Sequence, residues 1–265
     1  MRRNKIREIR VEAGDYMRIS HVSIRRTANG KRGRRYAPTS KAQKKINDRN
    51  AEYRLQEILQ LNFGRGTGAM VIGFDYDNAH LPQTCEEGIT TFQKYIKRIN
   101  YRLKRKGAPS AKYIYVTSYG KQSGRVHHHC VMIADITIPE LRELWGNGRV
   151  HGEGVYYDET GMLGLADYLA RQGVSRKWNS SKGLIRPEPI KRDDRISLRD
   201  ARYISNGAGS IDTHWFIEKL YPGWKVHKVI PAAEPEEGGG LPGIYTTILL
   251  YREGMRIGYD DAKTG

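Results

Sequence analysis

Three consecutive histidines lie inside an apolar, β-branched run at residues 124–134, GRVHHHCVMIA, and this run constrains the fold more than any other stretch. Its composition predicts a β-strand. Side chains alternate between the faces of a strand, so His127 and His129 share one face and His128 lies on the other. Two imidazoles on one face are a metal-ligand geometry, although such a pair is also found as ordinary core or surface residues. His128 and Cys130 are expected to be packing residues.

A second stretch, LGLADYLARQ at residues 163–172, has the apolar spacing of a helix and carries Tyr168. A phenol has a pKa of about 10 and is a poor nucleophile at neutral pH, so it needs a cation that polarises its target phosphate. Neutral imidazoles suit Mn²⁺, Zn²⁺ or Co²⁺. A histidine-held metal beside a tyrosine can cut DNA and keep the bond energy in a phosphotyrosine. The alternatives are that Tyr168 is a core residue, or that Tyr156 or Tyr157 is the nucleophile.

The charge of the chain indicates a polyanionic partner. The 265 residues carry a formal net charge of +17, with a pI near 9.8, and cations that replace counterions gain affinity for nucleic acid of any sequence. Residues 1–38 are predicted to form a basic arm along the phosphate backbone, or otherwise a solvated tail. The residues expected to contact DNA are Arg25, Arg26, Lys31, Arg32, Arg34, Arg35, Arg125, Lys177, Trp178 and Lys182, with Trp178 either a core anchor or a base-stacking platform.

Several classes of protein are disfavoured. The two cysteines, Cys85 and Cys130, are too few for a disulfide framework or a zinc knuckle. No apolar run approaches the roughly 20 residues that span a bilayer, and the first residues lack the apolar core of a signal peptide. The expectation is a cytoplasmic protein that does not engage a membrane.

Hydrophobic periodicity predicts an α+β fold in which a central, mostly antiparallel sheet has helices packed on it. The histidine strand is expected to be central, because it forms an antiparallel hairpin with the strand before it. Helices are predicted over residues 40–62 and 84–106, from Thr137, around Tyr168, from Ser197 and over 213–221; strands are predicted at 69–76, 112–119, 125–134, 224–230 and 244–251. We expect a basic arm at 1–38, a catalytic domain at 39–192 and a C-terminal α/β extension at 193–265 packed on the same domain.

The ordered set of motifs resembles that of the HUH rolling-circle replication initiators, in particular the replication-associated proteins of filamentous-type phages and related bacterial elements. GRVHHHCVM resembles their His-hydrophobe-His motif, and LADYLARQ resembles their Tyr-x-x-Lys helix. Asn62-Phe63 before Phe74-Asp75-Tyr76, the YIYV strand, the segment from Trp178 to Pro187 and LYPGW at 220–224 follow the same order as in those proteins. The resemblance implies an HUH endonuclease-like fold.

The resemblance also implies roles for single residues. His127 and His129 would hold a divalent metal, Mn²⁺ or Mg²⁺, and Tyr168 would become linked to the 5′ phosphate at the nick. Arg171 stands where the family has a lysine, and it keeps the positive charge there.

The expected third metal ligand departs from the family pattern. Related proteins tend to have a glutamate where this chain has Ser118, which is a weak metal ligand. Gln122, Asp75 or a water molecule would then complete the metal site.

The expected function is metal-dependent, site-specific nicking of single-stranded origin DNA, with strand transfer that initiates rolling-circle replication of a phage or mobile element in a bacterial host cell. The sequence has no Walker-type phosphate loop, so a helicase would be a host protein. One alternative is a non-catalytic DNA-binding or copy-control protein on the same scaffold, which Ser118 favours. Another is an RNA-binding protein, which leaves the histidine strand and the Tyr168 helix unexplained.

Overall fold

The computed structural model describes residues 5–24, 41–120, 123–158, 160–172, 178–231, 244–254 and 257–259. The helices are α1 (Lys41–Phe63), α2 (Cys85–Arg105), α3 (Ile138–Trp145), α4 (Leu163–Gln172), α5 (Leu198–Asn206) and α6 (Ile211–Leu220). The strands are β1 (Lys5–Ala13), β2 (Tyr16–Ile24), β3 (Met70–Asp75), β4 (Lys112–Tyr119), β5 (Val126–Ile133), β6 (Val150–Gly154), β7 (Tyr156–Tyr157), β8 (Asn179–Ser180), β9 (Ile190–Arg192), β10 (Trp224–Pro231), β11 (Tyr245–Arg252) and β12 (Gly258–Tyr259).

These elements confirm the predicted α+β class. The strands divide between two antiparallel five-stranded sheets and one pair, β12 with β7, rather than forming a single central sheet. Contacts divide the chain into two compact units. The first comprises Met1–Asn50, Glu159–Gly161 and Pro187–Met255, and the second comprises Ala51–Asp158, Met162–Arg186 and Arg256–Gly265. None of the helices in the described ranges is long and apolar enough to cross a membrane.

The first unit contains a sheet in the order β10-β11-β2-β1-β9. Its β1–β2 hairpin corrects one expectation, since residues 5–24 form two paired strands rather than part of a basic arm. Gly14 has a φ of 60° in the two-residue turn, a conformation that glycine adopts without strain. Alternate residues such as Ile6, Met17 and Ile19 are buried in an apolar core with α5 and α6, so the hairpin is held by burial on its inner face.

The second unit contains the sheet β6-β3-β5-β4-β8, with the histidine strand β5 at its centre as predicted. Each face of this sheet has its own core. Helices α2 and α3 cover one face, where Phe92, Tyr95 and Trp145 pack with Phe74. The end of α1 and α4 cover the other face through side chains that include Leu59, Phe63, Ala166 and Leu169.

Helix caps fix where α2 and α3 begin. The Thr84 side chain accepts a hydrogen bond from the backbone N–H of Glu87. Thr137 and Glu140 form the full reciprocal capping box at α3. Each cap satisfies backbone N–H groups that have no partner within the helix. The predicted helix starts at these two threonines are therefore confirmed.

Candidate functional site

Strand register gathers the predicted polar residues on one face of the second sheet, which we call the site face. His127 is directly opposite Ser118 on β4 and Asp75 on β3. His129 is opposite Gly73 on β3. Residues opposite each other on neighbouring strands project to the same face. Ser118, His127 and Asp75 therefore form one row, and His129 lies in the next row of the same face.

Helix α4 places Tyr168 over this face. The helix docks through the buried side chains of Leu163, Ala166 and Leu169. The Tyr168 hydroxyl is 2.8 Å from His129 Nε2, and the centroids of the two rings are 4.9 Å apart. The His127 and His129 ring centroids are 4.8 Å apart. Tyr168 keeps 43% of its surface exposed, so it is a half-open residue of the site and not a core tyrosine.

The environment keeps the reactive groups uncharged. Burial, together with the neighbouring His127, lowers the pKa of His129 to about 4. Burial also raises the pKa of the Tyr168 hydroxyl above its usual value. At neutral pH the site therefore contains a neutral His129 imidazole with a nitrogen lone pair, beside a protonated phenol.

The tautomer of His127 follows from its partners. His127 Nδ1 is 3.3 Å from the backbone carbonyl oxygen of Arg125, which can only accept, so Nδ1 carries the proton. The lone pair is then on Nε2, which is 3.0 Å from Ser118 Oγ. Ser118 Oγ is also 3.4 Å from Gln172 Oε1. A single hydroxyl proton can serve only one of these two acceptors at a time.

The third histidine belongs to the opposite face. His128 is fully buried, with Nδ1 2.8 Å from Thr117 Oγ1 and Nε2 2.8 Å from the Tyr76 hydroxyl. Burial, with a smaller effect of the neighbouring histidines, lowers its pKa to about 3. His128 is thus a neutral core residue whose two ring nitrogens both have partners. Cys130 is also fully buried, and both are packing residues as predicted.

The structure brings in one residue that the sequence did not indicate, His151 on the edge strand β6. Gly73 is opposite both His129 on β5 and His151 on β6. A Cβ built on Gly73 would collide with His151 Cε1 and Nε2, so the imidazole covers the glycine. His151 Nδ1 is 3.8 Å from Asp75 Oδ2. Gly73 therefore leaves space for a third imidazole on the site face.

The donor set fits a divalent metal in part. His127 and His129 offer neutral imidazoles, each with a hydroxyl beside its Nε2, and Asp75 and His151 add a carboxylate and a third imidazole on the same face. Among the described residues, no three or more His, Cys, Asp or Glu side chains are arranged to hold a metal ion. His151 and Asp75 have half-exposed side chains, at 57% and 50%, and such side chains are free to change rotamer.

The remaining predicted residues have mixed placements. Arg171 is 74% exposed on α4 and pairs with Asp167 at 3.3 Å. Arg125 hydrogen-bonds to Asn78 Oδ1 at 2.7 Å and to the carbonyl oxygen of Tyr76 at 2.8 Å, so it braces the loop after β3. Gln122, Lys177, Arg25, Arg26, Lys31, Arg32, Arg34 and Arg35 lie outside the described residues.

The alternatives for the aromatic residues are also resolved in part. Trp178 packs, partly buried, against the core under α4, as the core-anchor interpretation expects, whereas Lys182 is exposed. Tyr157 is buried and donates its hydroxyl hydrogen bond to the carbonyl oxygen of Phe63 at 2.8 Å. Tyr156 is 51% exposed and stacks on Tyr259. Burial makes Tyr157 unsuitable as an alternative nucleophile.

The fold and the site define an α+β protein in which a His-x-His strand and a helical tyrosine meet on one sheet face. Residues 70–172, which contain this whole arrangement from β3 to α4, match the model of a family of replication-associated proteins, the ORF2 type. Comparisons with curated proteins and with solved structures give no match. The family match supports a role in the initiation of DNA replication, for which DNA is the expected partner.

Proposed function

We propose that this protein nicks single-stranded origin DNA at a specific site and transfers the strand through a 5′-phosphotyrosine, initiating rolling-circle replication of a phage or mobile element. The observation that carries the proposal is the hydrogen-bonded contact between Tyr168 and His129, beside His127, on one face of the sheet. The family match covers these three residues. A core tyrosine would not need to be half exposed next to two neutral imidazoles.

In the proposed reaction, the Tyr168 oxygen attacks the scissile phosphorus. The new P–O bond to tyrosine forms as the bond to the 3′ oxygen of the preceding nucleotide breaks, the phenol loses its proton and the 3′ oxygen gains one. The phosphodiester energy is conserved, so the step can run in reverse on a second 3′ end and thereby transfer the strand. Arg171, one helical turn from Tyr168, would add positive charge near the phosphate once DNA competes with Asp167.

A divalent metal, Mn²⁺ or Mg²⁺, would be held by His127 and His129 and would supply charge stabilisation to the phosphate oxygens. Since Ser118 offers only a hydroxyl, we propose Asp75 and His151 as the groups that complete the ligand set. Both lie on the site face, and both have the exposure that a change of rotamer needs. Gln122, which follows β4, is a further proposed ligand.

The test uses a labelled single-stranded oligonucleotide that carries the origin, with Mn²⁺ or Mg²⁺. The wild-type chain should form a covalent adduct that survives denaturing electrophoresis, and Tyr168→Phe should form none. Tyr156→Phe is the matched control, since Tyr156 has a similar exposure but stacks on Tyr259, and it should retain the adduct. An adduct in Tyr168→Phe would refute the assignment of the nucleophile.

A non-catalytic DNA-binding or copy-control protein is the second candidate. It is favoured by Ser118, which is buried where a carboxylate would be expected, and by the lack of a three-residue metal cluster among the described residues. Such a protein would bind origin DNA equally well with and without divalent metal and would leave it intact. Metal titration of binding and cleavage in parallel separates the two functions.

A further inference from the structure

Helix α2 carries an uncompensated line of positive charge far from the candidate site. Its buried residues, which include Phe92, Tyr95 and Ile99, pack against the sheet face opposite the site face. The exposed residues on its outer side form what we call the α2 stripe: Lys94, Lys97, Tyr101, Lys104 and Arg105. At 3.6 residues per turn these positions lie within an arc of about 120° and extend over about 16 Å of helix.

The acidic residues nearby do not neutralise the stripe. Glu140 on α3 pairs with Lys106 and at 3.9 Å with Arg102, and Glu143 pairs with Arg102 at 3.2 Å. Within the ranges that the structure describes, the four cations of the stripe form no ion pair. Cations three or four residues apart on a helix repel each other. The stripe is therefore a locally unfavourable arrangement that an anionic ligand would stabilise.

The helix dipole accounts for only part of this pattern. Cations in the last turn, such as Lys104 and Arg105, are stabilised by the partial negative charge of the helix C-terminus. Lys94 and Lys97 lie in the middle of the helix, where the dipole has little effect. A solvated surface would also not require an aromatic ring at the centre of the charge.

Tyr101 is the residue that points to a particular ligand. It is 65% exposed and lies on the stripe with Lys97 on one side and Lys104 on the other. Alternation of cations with an open aromatic ring is how proteins bind single strands, because the cations follow the phosphates while unpaired bases stack on the ring. In a duplex the bases are already stacked and cannot reach such a ring.

We infer that the α2 stripe binds single-stranded DNA as a second contact, separate from the strand at Tyr168. The two surfaces lie on opposite faces of the same sheet, so a segment bound at the site face does not reach Tyr101 without passing round the sheet edge. The identity of the nucleic acid as DNA rests on the proposed function. The stripe itself contains no group of the proposed cleavage chemistry.

The test measures binding of a fluorescent oligo(dT), which contains no origin, to the full chain carrying Tyr168→Phe, without divalent metal. Tyr101→Ala should weaken binding about tenfold, which corresponds to the loss of one stacked base. Tyr101→Phe should bind as the parent does, because stacking needs the ring and not the hydroxyl. Equal losses in the two variants would overturn the stacking contact.

The charge component is tested with Lys97→Gln/Lys104→Gln. The slope of log affinity against log salt should become shallower by about 1.4, from about 0.7 for each phosphate contact on a single strand. Lys191→Gln/Arg192→Gln on β9 removes two exposed cations elsewhere and is the matched control. A slope change no larger than that of this control would overturn the inference.

Two further arms separate the ligand and the functions. Duplex DNA of the same length should be insensitive to Tyr101→Ala, and an equal loss on duplex would overturn the single-strand assignment. RNA that binds more tightly than DNA would overturn the choice of DNA. In the chain with Tyr168 restored, cleavage of a short origin oligonucleotide should be unchanged by the stripe variants. A lack of any cleavage would count against the proposed function alone.

Discussion

His128 illustrates at the scale of one residue how burial fixes protonation. Its pKa is lowered to about 3 by burial, whereas an unfolded histidine titrates near pH 6.5. Between these values the unfolded chain binds a proton that the folded chain excludes, so the free energy of unfolding falls as the pH falls. His128 adds at most about 1.4 kcal/mol per pH unit to this loss, and His129 adds to it in the same direction down to about pH 4.

We therefore expect His128→Gln to flatten the dependence of stability on pH between 6.5 and 4.5, measured by denaturant unfolding at several pH values. Thr117→Val is the control, because it removes the partner of Nδ1 and keeps the titrating imidazole. It should lower stability at every pH and leave the slope as in the wild type. Parallel profiles for His128→Gln and the wild type would contradict the assignment.

The candidate site could be predicted in part from single residues. Alternation along β5 correctly separated His127 and His129 from His128, because a strand period of two is a local property. The meeting of Tyr168 with His129 needed the docking of α4, which the resemblance implied and the structure shows. His151 could not be found in this way, since VHGEG has no apolar alternation and its place beside His129 depends on strand pairing between distant segments.

At the scale of the element, β3 is important for what it lacks. Gly73 lies between the two strands that carry His129 and His151, and its missing side chain is what allows the His151 ring to cover it. A methyl group there would displace the ring into solvent. Because the His151 side chain is 57% exposed, this displacement should cost little stability.

We expect Gly73→Ala and His151→Ala each to weaken Co²⁺ or Mn²⁺ binding about tenfold or more, by analogy with losses of metal-site support. The double variant should be no weaker than either single variant, because both remove the same group. Absorbance of the Co²⁺ complex or calorimetry with Mn²⁺, in the absence of DNA, measures this. His80→Ala, which removes an exposed histidine paired with Asp77, should bind metal normally. Additive losses would show that Gly73 acts by another route.

The β1–β2 hairpin shows why some elements escape prediction. In KIREIRVEAGDYMRISHVSI, arginine and glutamate interrupt the apolar residues, and the charge density suggested an arm. Pairing in a sheet with β11 and β9 buries Ile6, Val11 and Ile19 and leaves charged side chains such as Lys5 and Glu12 exposed. The helices α2 and α3, by contrast, begin at local caps, and a local signal suffices to place them.

At the scale of the whole molecule, the charge of +17 is divided between cations that are paired and cations that are not. Arg7, Lys225 and Arg252 form ion pairs with Asp193, Glu218 and Asp15. The basic residues between 25 and 35 are proposed to contact the phosphate backbone. Only cations free to replace counterions contribute to the salt dependence of binding.

Replacing Arg32, Arg34 and Arg35 with glutamine should weaken binding to single strands of any sequence and reduce the salt slope by about 2. The matched triple variant at Arg7, Lys225 and Arg252 removes the same charge from ion-paired positions and should change the slope much less. Fluorescence anisotropy over a range of salt concentrations measures both. Equal changes would mean that net charge, and not the basic segment, determines the affinity.

The register of β5 has a consequence for how errors in this protein are handled. A shift of β5 by one residue would carry His128 to the site face and bury His127 and His129 in the aromatic core, where Thr117 and Tyr76 provide partners for one imidazole. Such a chain would lose a site histidine and also bury an imidazole without partners, which is costly. The histidine triplet thus links catalytic competence to quality control: a copy assembled in the wrong register would be both inactive and unstable enough to be degraded.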